Sequence, residues 1–155
     1  MNAVLRRARS GDVDGILDLE RHFPGDRVSR ASVRRFLRIA TARVWVVEAT
    51  QPRLVVAALI LLTRAGSATA RIYSIVVDPQ ARGLGLGRRL VRTAERGARV
   101  AGCDAVSLEV REDNVAARAL YASLGYVEHE RLAGYYDDGG DGLRLRKALV
   151  ARRTR

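Results

Sequence analysis

The sequence predicts a mixed α/β domain with the element order β-α-α-β-β-β-α-β-α-β-β, and three observations carry that expectation. Runs dense in β-branched and aliphatic residues recur along the chain, as in Arg43 to Thr50, Leu54 to Thr63 and Arg71 to Val77. Apolar stripes at helical spacing separate them, the longest being Leu86, Leu90, Val91, Ala94, Ala98 and Ala101. Between strand and helix lies an abrupt proline-glycine break, Asp78-Pro79-Gln80-Ala81-Arg82-Gly83-Leu84-Gly85-Leu86-Gly87-Arg88. At 155 residues and 48% hydrophobic composition the chain has the size of one domain with a real core, expected over residues 1–149 with a basic tail at 150–155.

In order, Ala3 to Ala8 reads as a first strand, Asp12 as the cap of a helix through Arg21, and Ser29 or Ser32 as the cap of another through Ala40. The turn-rich Phe23-Pro24-Gly25-Asp26-Arg27 joins the two helices. Arg43 to Thr50 and Leu54 to Thr63 form a hairpin about Gln51-Pro52-Arg53, with Trp45 as core. A turn near Ala65-Gly66-Ser67 leads into Arg71 to Val77, a strand that Pro79 ends because proline cannot donate to a ladder. Ala105 to Val110 is the next strand. Asn114 caps a helix with the stripe Ala117, Leu120 and Leu124, which Gly125 closes. Tyr126 to Leu132 and Leu143 to Leu149 read as closing strands around a polar Tyr135-Tyr136-Asp137-Asp138-Gly139-Gly140-Asp141-Gly142 loop.

The glycine turn is the first functional signal. Three glycines at Gly83, Gly85 and Gly87 allow positive φ and let an anion approach the backbone amides at a helix N-terminus, where the dipole favours negative charge. Arg82 and Arg88 add counter-charge. A dinucleotide fingerprint from Gly83 or Gly85 needs glycine at position 88 or 90, which hold Arg88 and Leu90, and the Gly-Lys-Ser/Thr ending of a nucleotide P-loop is absent. What remains is R-x-x-G-x-G, set by Arg82, Gly85 and Gly87 after a Val-Asp-Pro strand end, with a plain strand-to-helix turn as the competing reading.

A second block sharpens it. Leu108 to Tyr126 follows L-E-V-R-x-x-N-x-x-A-x-x-L-Y-x-x-x-G-F/Y. Together the two motifs resemble the GNAT superfamily of N-acetyltransferases, in the branch of the ribosomal-protein alanine N-acetyltransferases, over roughly residues 70 to 148. The resemblance implies a mainly antiparallel sheet of about seven strands with flanking helices, whose fourth and fifth strands splay apart. The pantetheine arm of acetyl-CoA would lie in the gap, pairing with backbone near Ile75, Val76 and Val77, and the amides of Arg82, Gly83, Leu84, Gly85, Leu86, Gly87 and Arg88 would hold the pyrophosphate. It further implies Glu109 as general base, Tyr121 as general acid, and Asn114 and Tyr121 beside the coenzyme. Asp26, Tyr73 and Tyr136 become the acceptor-side candidates.

Each role has a plainer competitor. The plainer reading of Glu109 is an exposed strand residue paired with Arg111 or a neighbour, and that of Tyr121 a packing aromatic, with the intact motif favouring catalysis for both; Asn114 fits equally a cap alone. Arg111 supports by charge, since a guanidinium cannot serve as a base. The acceptor region departs from the branch pattern. Leu132-Ala133-Gly134 separates Arg131 from the tyrosine pair, and E-D-A-x-x-M becomes Asp141-Gly142-Leu143-Arg144-Leu145. A protein N-terminal α-amine is therefore the first expectation for the acceptor and a small amine or lysine side chain the second. A noncatalytic acyl-CoA-binding or nucleic-acid-associated module is the third.

Composition constrains partners. The net charge is +11, but 27 of 28 basic residues are arginines spread over every segment, and aromatics, at 5%, do not interleave with them as a stacking platform requires. No specific nucleic-acid partner is expected; a positive field suits anionic coenzyme. The longest apolar run, Leu54 to Leu62, is too short to span a membrane, and no signal peptide is evident, so a cytoplasmic monomer or homodimer is expected. His22 and His129 lack metal-ligand spacing, so no metal is expected, and Cys103 reads as a buried free thiol.

Overall fold

The computed structural model describes residues 2–23 and 28–149. The chain runs β1 (Ala3–Arg7), α1 (Val13–Glu20), α2 (Arg30–Phe36), β2 (Ala42–Thr50), β3 (Arg53–Leu62), β4 (Thr69–Val77), α3 (Leu86–Val100), β5 (Ala105–Arg111), α4 (Val115–Ser123), β6 (Val127–Leu132) and β7 (Gly142–Ala148). All seven strands form one sheet in the order β1-β2-β3-β4-β5-β7-β6. Every neighbouring pair is antiparallel except β4 with β5, whose parallel register runs from Thr69↔Ala105 to Ile72↔Leu108.

The sheet is covered on both faces. Val44, Val46, Ala58 and Ile60 point to one side with Val13, Ile16, Leu19, Val33 and Phe36 of α1 and α2. Trp45, Val47, Ala57, Leu59 and Leu61 point to the other with Leu86, Leu90, Val91, Ala94 and Ala98 of α3. This two-sided burial is why β2 and β3 read as unbroken apolar runs. Trp45 and Cys103 are both core, as expected.

Two helix boundaries differ from the sequence reading. Asp12 does not cap α1 with its side chain; it closes a single 3-10 turn, Ser10–Asp12, where its carboxylate accepts from the Arg9 amide at 2.7 Å and pairs with Arg6 at 2.8 Å. Of the two serine candidates Ser29 caps α2, accepting from the Ser32 amide, and the helix ends at Phe36 rather than Ala40 because pairing with β3 already begins at Ala42. The Pro24-Gly25-Asp26-Arg27 loop and the 150–155 tail lie outside the described residues.

A buried polar link fastens the C-terminal half. Glu95 on α3, 5% exposed, accepts from the Tyr126 hydroxyl at 2.9 Å and from Lys147 of β7 at 3.1 Å. Burial first, and then the neighbouring Glu95 carboxylate, pushes the Tyr126 phenol far up.

Candidate active site

Beyond Ile72↔Leu108 the β4–β5 pairing stops, so the next residues of the two strands diverge. The opening is a cavity of about 610 Å³ between Ile72–Val76 of β4 and Leu108–Arg111 of β5, closed by Asn114, Ala117 and Tyr121 from the next helical segment and by Tyr136–Asp138. A register shift helps shape it: Ile60↔Ser74 is followed by Leu61↔Ile72, leaving Tyr73 as the extra residue of a bulge. Tyr73 is thereby 40% exposed and stacks edge-on against Phe36 of α2.

The cavity gathers Ile75, Val76, Glu109, Asn114, Tyr121, Tyr73 and Tyr136 from among the sequence candidates. Glu109 projects from β5 with a side chain only 8% exposed. Its partner is not Arg111: Arg71 of β4 meets both oxygens, Nη2 to Oε1 at 3.0 Å and Nε to Oε2 at 3.2 Å, and Arg144, opposite it on β7, lies 3.5 Å from Oε1. Arg111 instead pairs with Asp138 and lies 4.5 Å over the Tyr136 ring, tying the hairpin loop to β5. The Gly140 amide and then Arg111 hold the Asp138 carboxyl below its usual range.

Tyr121 is 6% exposed, and burial, followed by neighbouring Tyr136, pushes its phenol up to about 12. Among the described residues its hydroxyl has no hydrogen-bond partner, unlike that of Tyr126, whose ring lies 6.0 Å away. Asn114 accepts from the Ala117 amide at 3.1 Å and so caps α4, besides lining the cavity.

The glycine loop follows the same strand, with Asp78 starting its first turn by accepting from the Gln80 amide. Neither its residues nor Val77, which precedes it on β4, line this cavity. Gly83 and Gly85 have φ of +80° and +74°, and Gly85 is the N-cap of α3, whose first-turn amides have no acceptor within the helix. Gly87 does a different job: a Cβ there would stand 3.3 Å from Leu120 of α4, so it sets how closely the two helices approach. Arg88 bonds Ser123 of α4 at 2.9 Å, while Arg82 and Leu84 are exposed.

A second cavity of about 360 Å³ shares Ile72, Tyr73, Ser74, Glu109 and Tyr136 with the first and adds Val28, Arg71 and Tyr135. Asp26 falls in the loop that is not described. Two features of the site escaped the sequence reading. Glu20, 5% exposed, faces the larger cavity and accepts from Ser74 at 3.1 Å; its position seven residues after Val13 and four after Ile16, on the apolar stripe of α1, was the available signal. The Arg71 and Arg144 clamp on Glu109 had none, because it depends on three strands meeting. Among the described residues no group of side chains suits a metal, and no helix is long and apolar enough to cross a membrane.

Residues 13–126 match the model of the acetyltransferase (GNAT) family. The chain belongs to that family. An uncharacterized N-acetyltransferase of Methanocaldococcus jannaschii is 40% identical over 77 residues, 49% of each chain. The N-alpha-acetyltransferase MAK3 of Arabidopsis thaliana is 39% identical over 75 residues, 48% of this chain and 40% of that one. The mycothiol acetyltransferase of Beutenbergia cavernae is 46% identical over 61, covering 39% and 20%. The matches thus span half or less of these relatives' length. In fold, the ribosomal-protein-S18-alanine N-acetyltransferase of Escherichia coli superposes with a TM-score of 0.84 at 22% identity, covering 98% of this chain and 97% of that one. The expected GNAT fold is therefore present, with its seven-stranded sheet opening after the parallel β4–β5 pairing.

Proposed function

We propose that this protein transfers the acetyl group of acetyl-CoA to a primary amine, with a protein N-terminal α-amine as the acceptor. The carrying observation is that Glu109 and Tyr121, which come from different elements, line one cavity at the β4–β5 opening. The pantetheine arm would lie along the edge of β4 that β5 no longer covers, near Ile75, Val76 and Val77, and the amides from Arg82 to Arg88 would meet the pyrophosphate.

An α-amine has a reference pKa near ~8 and must shed a proton to attack. In the proposed reaction Glu109, directly or through water, takes that proton and the freed amine nitrogen bonds to the thioester carbon; the carbon–sulfur bond then breaks, the Tyr121 hydroxyl gives its hydrogen to the departing sulfur, and the second proton shed by the acylated nitrogen restores the Tyr121 phenol. A phenol pushed up to about 12 stays protonated at neutral pH. The burial that raises it disfavours a bare thiolate in the same place, so donor and leaving group rise together. Tyr73 and Tyr136 supply the walls on the acceptor side.

The similarity to an N-alpha-acetyltransferase supports the α-amine acceptor, and that to mycothiol acetyltransferases keeps a small-molecule amine as the second reading. Thiol release from acetyl-CoA, measured with peptides bearing free or blocked amino termini and with a panel of small amines, separates them. Turnover that requires the free peptide terminus supports the proposal; turnover confined to small amines replaces it with the second reading.

A further inference from the structure

We propose that Arg71 reads a carboxylate carried by the acceptor close to its amine, and that exchange of Arg71 from Glu109 to that carboxylate is what frees Glu109. This rests on Glu109 being the base. As the structure stands, Arg71 meets both oxygens of the Glu109 carboxylate, at 3.0 and 3.2 Å, and Arg144 lies 3.5 Å from one of them. One of these cations has to yield for an ammonium to approach.

The two are not equivalent. Arg144 is also held by Glu130 on the neighbouring strand. Arg71 pairs with no other carboxylate among the described residues, its side chain is 42% exposed, and its guanidinium lies over Tyr73 at 5.6 Å on the wall of the 360 Å³ cavity. It is the arginine able to turn toward an incoming group. Charge selects that group. The four side chains Arg71, Arg144, Glu109 and Glu130 balance, so an acceptor amine without a carboxylate of its own would leave the Arg71 guanidinium without its partner. An acceptor bringing its own carboxylate re-pairs Arg71 through a two-pronged contact while its amine replaces Arg71 at Glu109. A few bonds between amine and carboxylate suffice, because the guanidinium and Glu109 are in direct contact. That fits either an acidic first side chain on a peptide or the α-carboxylate of a free amino acid.

The test compares isosteric pairs, with kcat/KM expressed per unprotonated amine: a peptide beginning Asp-Ala against one beginning Asn-Ala, and L-alanine against L-alaninamide. The wild-type enzyme is expected to favour the carboxylate member of one pair by about tenfold or more, the size of a lost charge-assisted contact. The pair that responds identifies the carboxylate's source. Arg71→Gln should bring that ratio close to one, whereas a merely structural role would lower both members alike and leave the ratio standing. Should Arg71→Gln fail to fold, the wild-type ratios decide. Ratios near one in the wild type, or a preference that survives Arg71→Gln, overturn the inference while leaving the acetyltransferase reading intact; absence of turnover with every amine overturns both.

Discussion

Replacing Tyr121 and Tyr126 separately by phenylalanine makes a controlled pair, because the rings are 6.0 Å apart and the same oxygen is removed from each. The Tyr126 hydroxyl donates to buried Glu95 at 2.9 Å, a neutral donor on a charged acceptor. Losing such a bond costs about 1.5–3 kcal/mol. At roughly 2–4 °C per kcal/mol for a domain of this size, Tm should fall by about 3–12 °C. Tyr126→Phe should nevertheless turn over normally once folded. Tyr121 has no bond of this kind among the described residues, so Tyr121→Phe should leave Tm within about 2 °C and instead lower kcat by about 10² to 10⁴, the usual loss when one positioned acid is removed. Calorimetry and steady-state thiol release on both variants read the two effects. A Tyr121→Phe enzyme with near-normal kcat, or one destabilised as much as Tyr126→Phe, would refute the division of labour.

Three further outcomes are expected. Gly85→Val forces a β-branched residue to a φ of +74° in open space, so strain of about 1–2 kcal/mol should reshape the loop without a clash; calorimetric titration should show coenzyme affinity falling at least about tenfold in a folded variant. The pH dependence of kcat/KM should rise as the acceptor amine deprotonates and show no falling limb from Tyr121 up to roughly pH 10, because its phenol titrates only near about 12; a limb near pH 9 that disappears in Tyr121→Phe would contradict this. The bonds from Arg6, against the opposing cost of burial, hold the Asp12 carboxyl below its ordinary value, so its stabilising contribution is present above about pH 4 and lost as pH falls below that. Asp12→Asn should cost about 1–3 kcal/mol in urea unfolding at neutral pH, with the gap to wild type narrowing in acid.

The parts legible in the sequence were those fixed by local chemistry. The apolar runs of β2 and β3, proline at the end of β4, Asn114 as a cap and the Leu108–Tyr126 block each announce themselves within a few residues. Periodicity could not show where α2 stops, since that depends on β2 meeting β3 from Ala42 onward. Nor could it divide the glycines into two that need positive φ and one, Gly87, that needs only to be small beside Leu120. Glu109 was legible as a candidate, but its partners were not. Arg111, the near neighbour in sequence, is turned to Asp138, while Arg71 and Arg144 arrive from two other strands. Pairing across strands is set by register, and register is a property of the assembled sheet.

The most direct test of N-terminal acetyl transfer is to locate the product. A peptide with one free α-amine and one internal lysine, incubated with isotopically labelled acetyl-CoA and sequenced by tandem mass spectrometry, should carry the label on the α-amine with the wild-type enzyme and show little labelling with Glu109→Gln. Label on the lysine alone, or equal labelling by Glu109→Gln, would contradict the proposal that Glu109 activates a protein amino terminus in the β4–β5 opening.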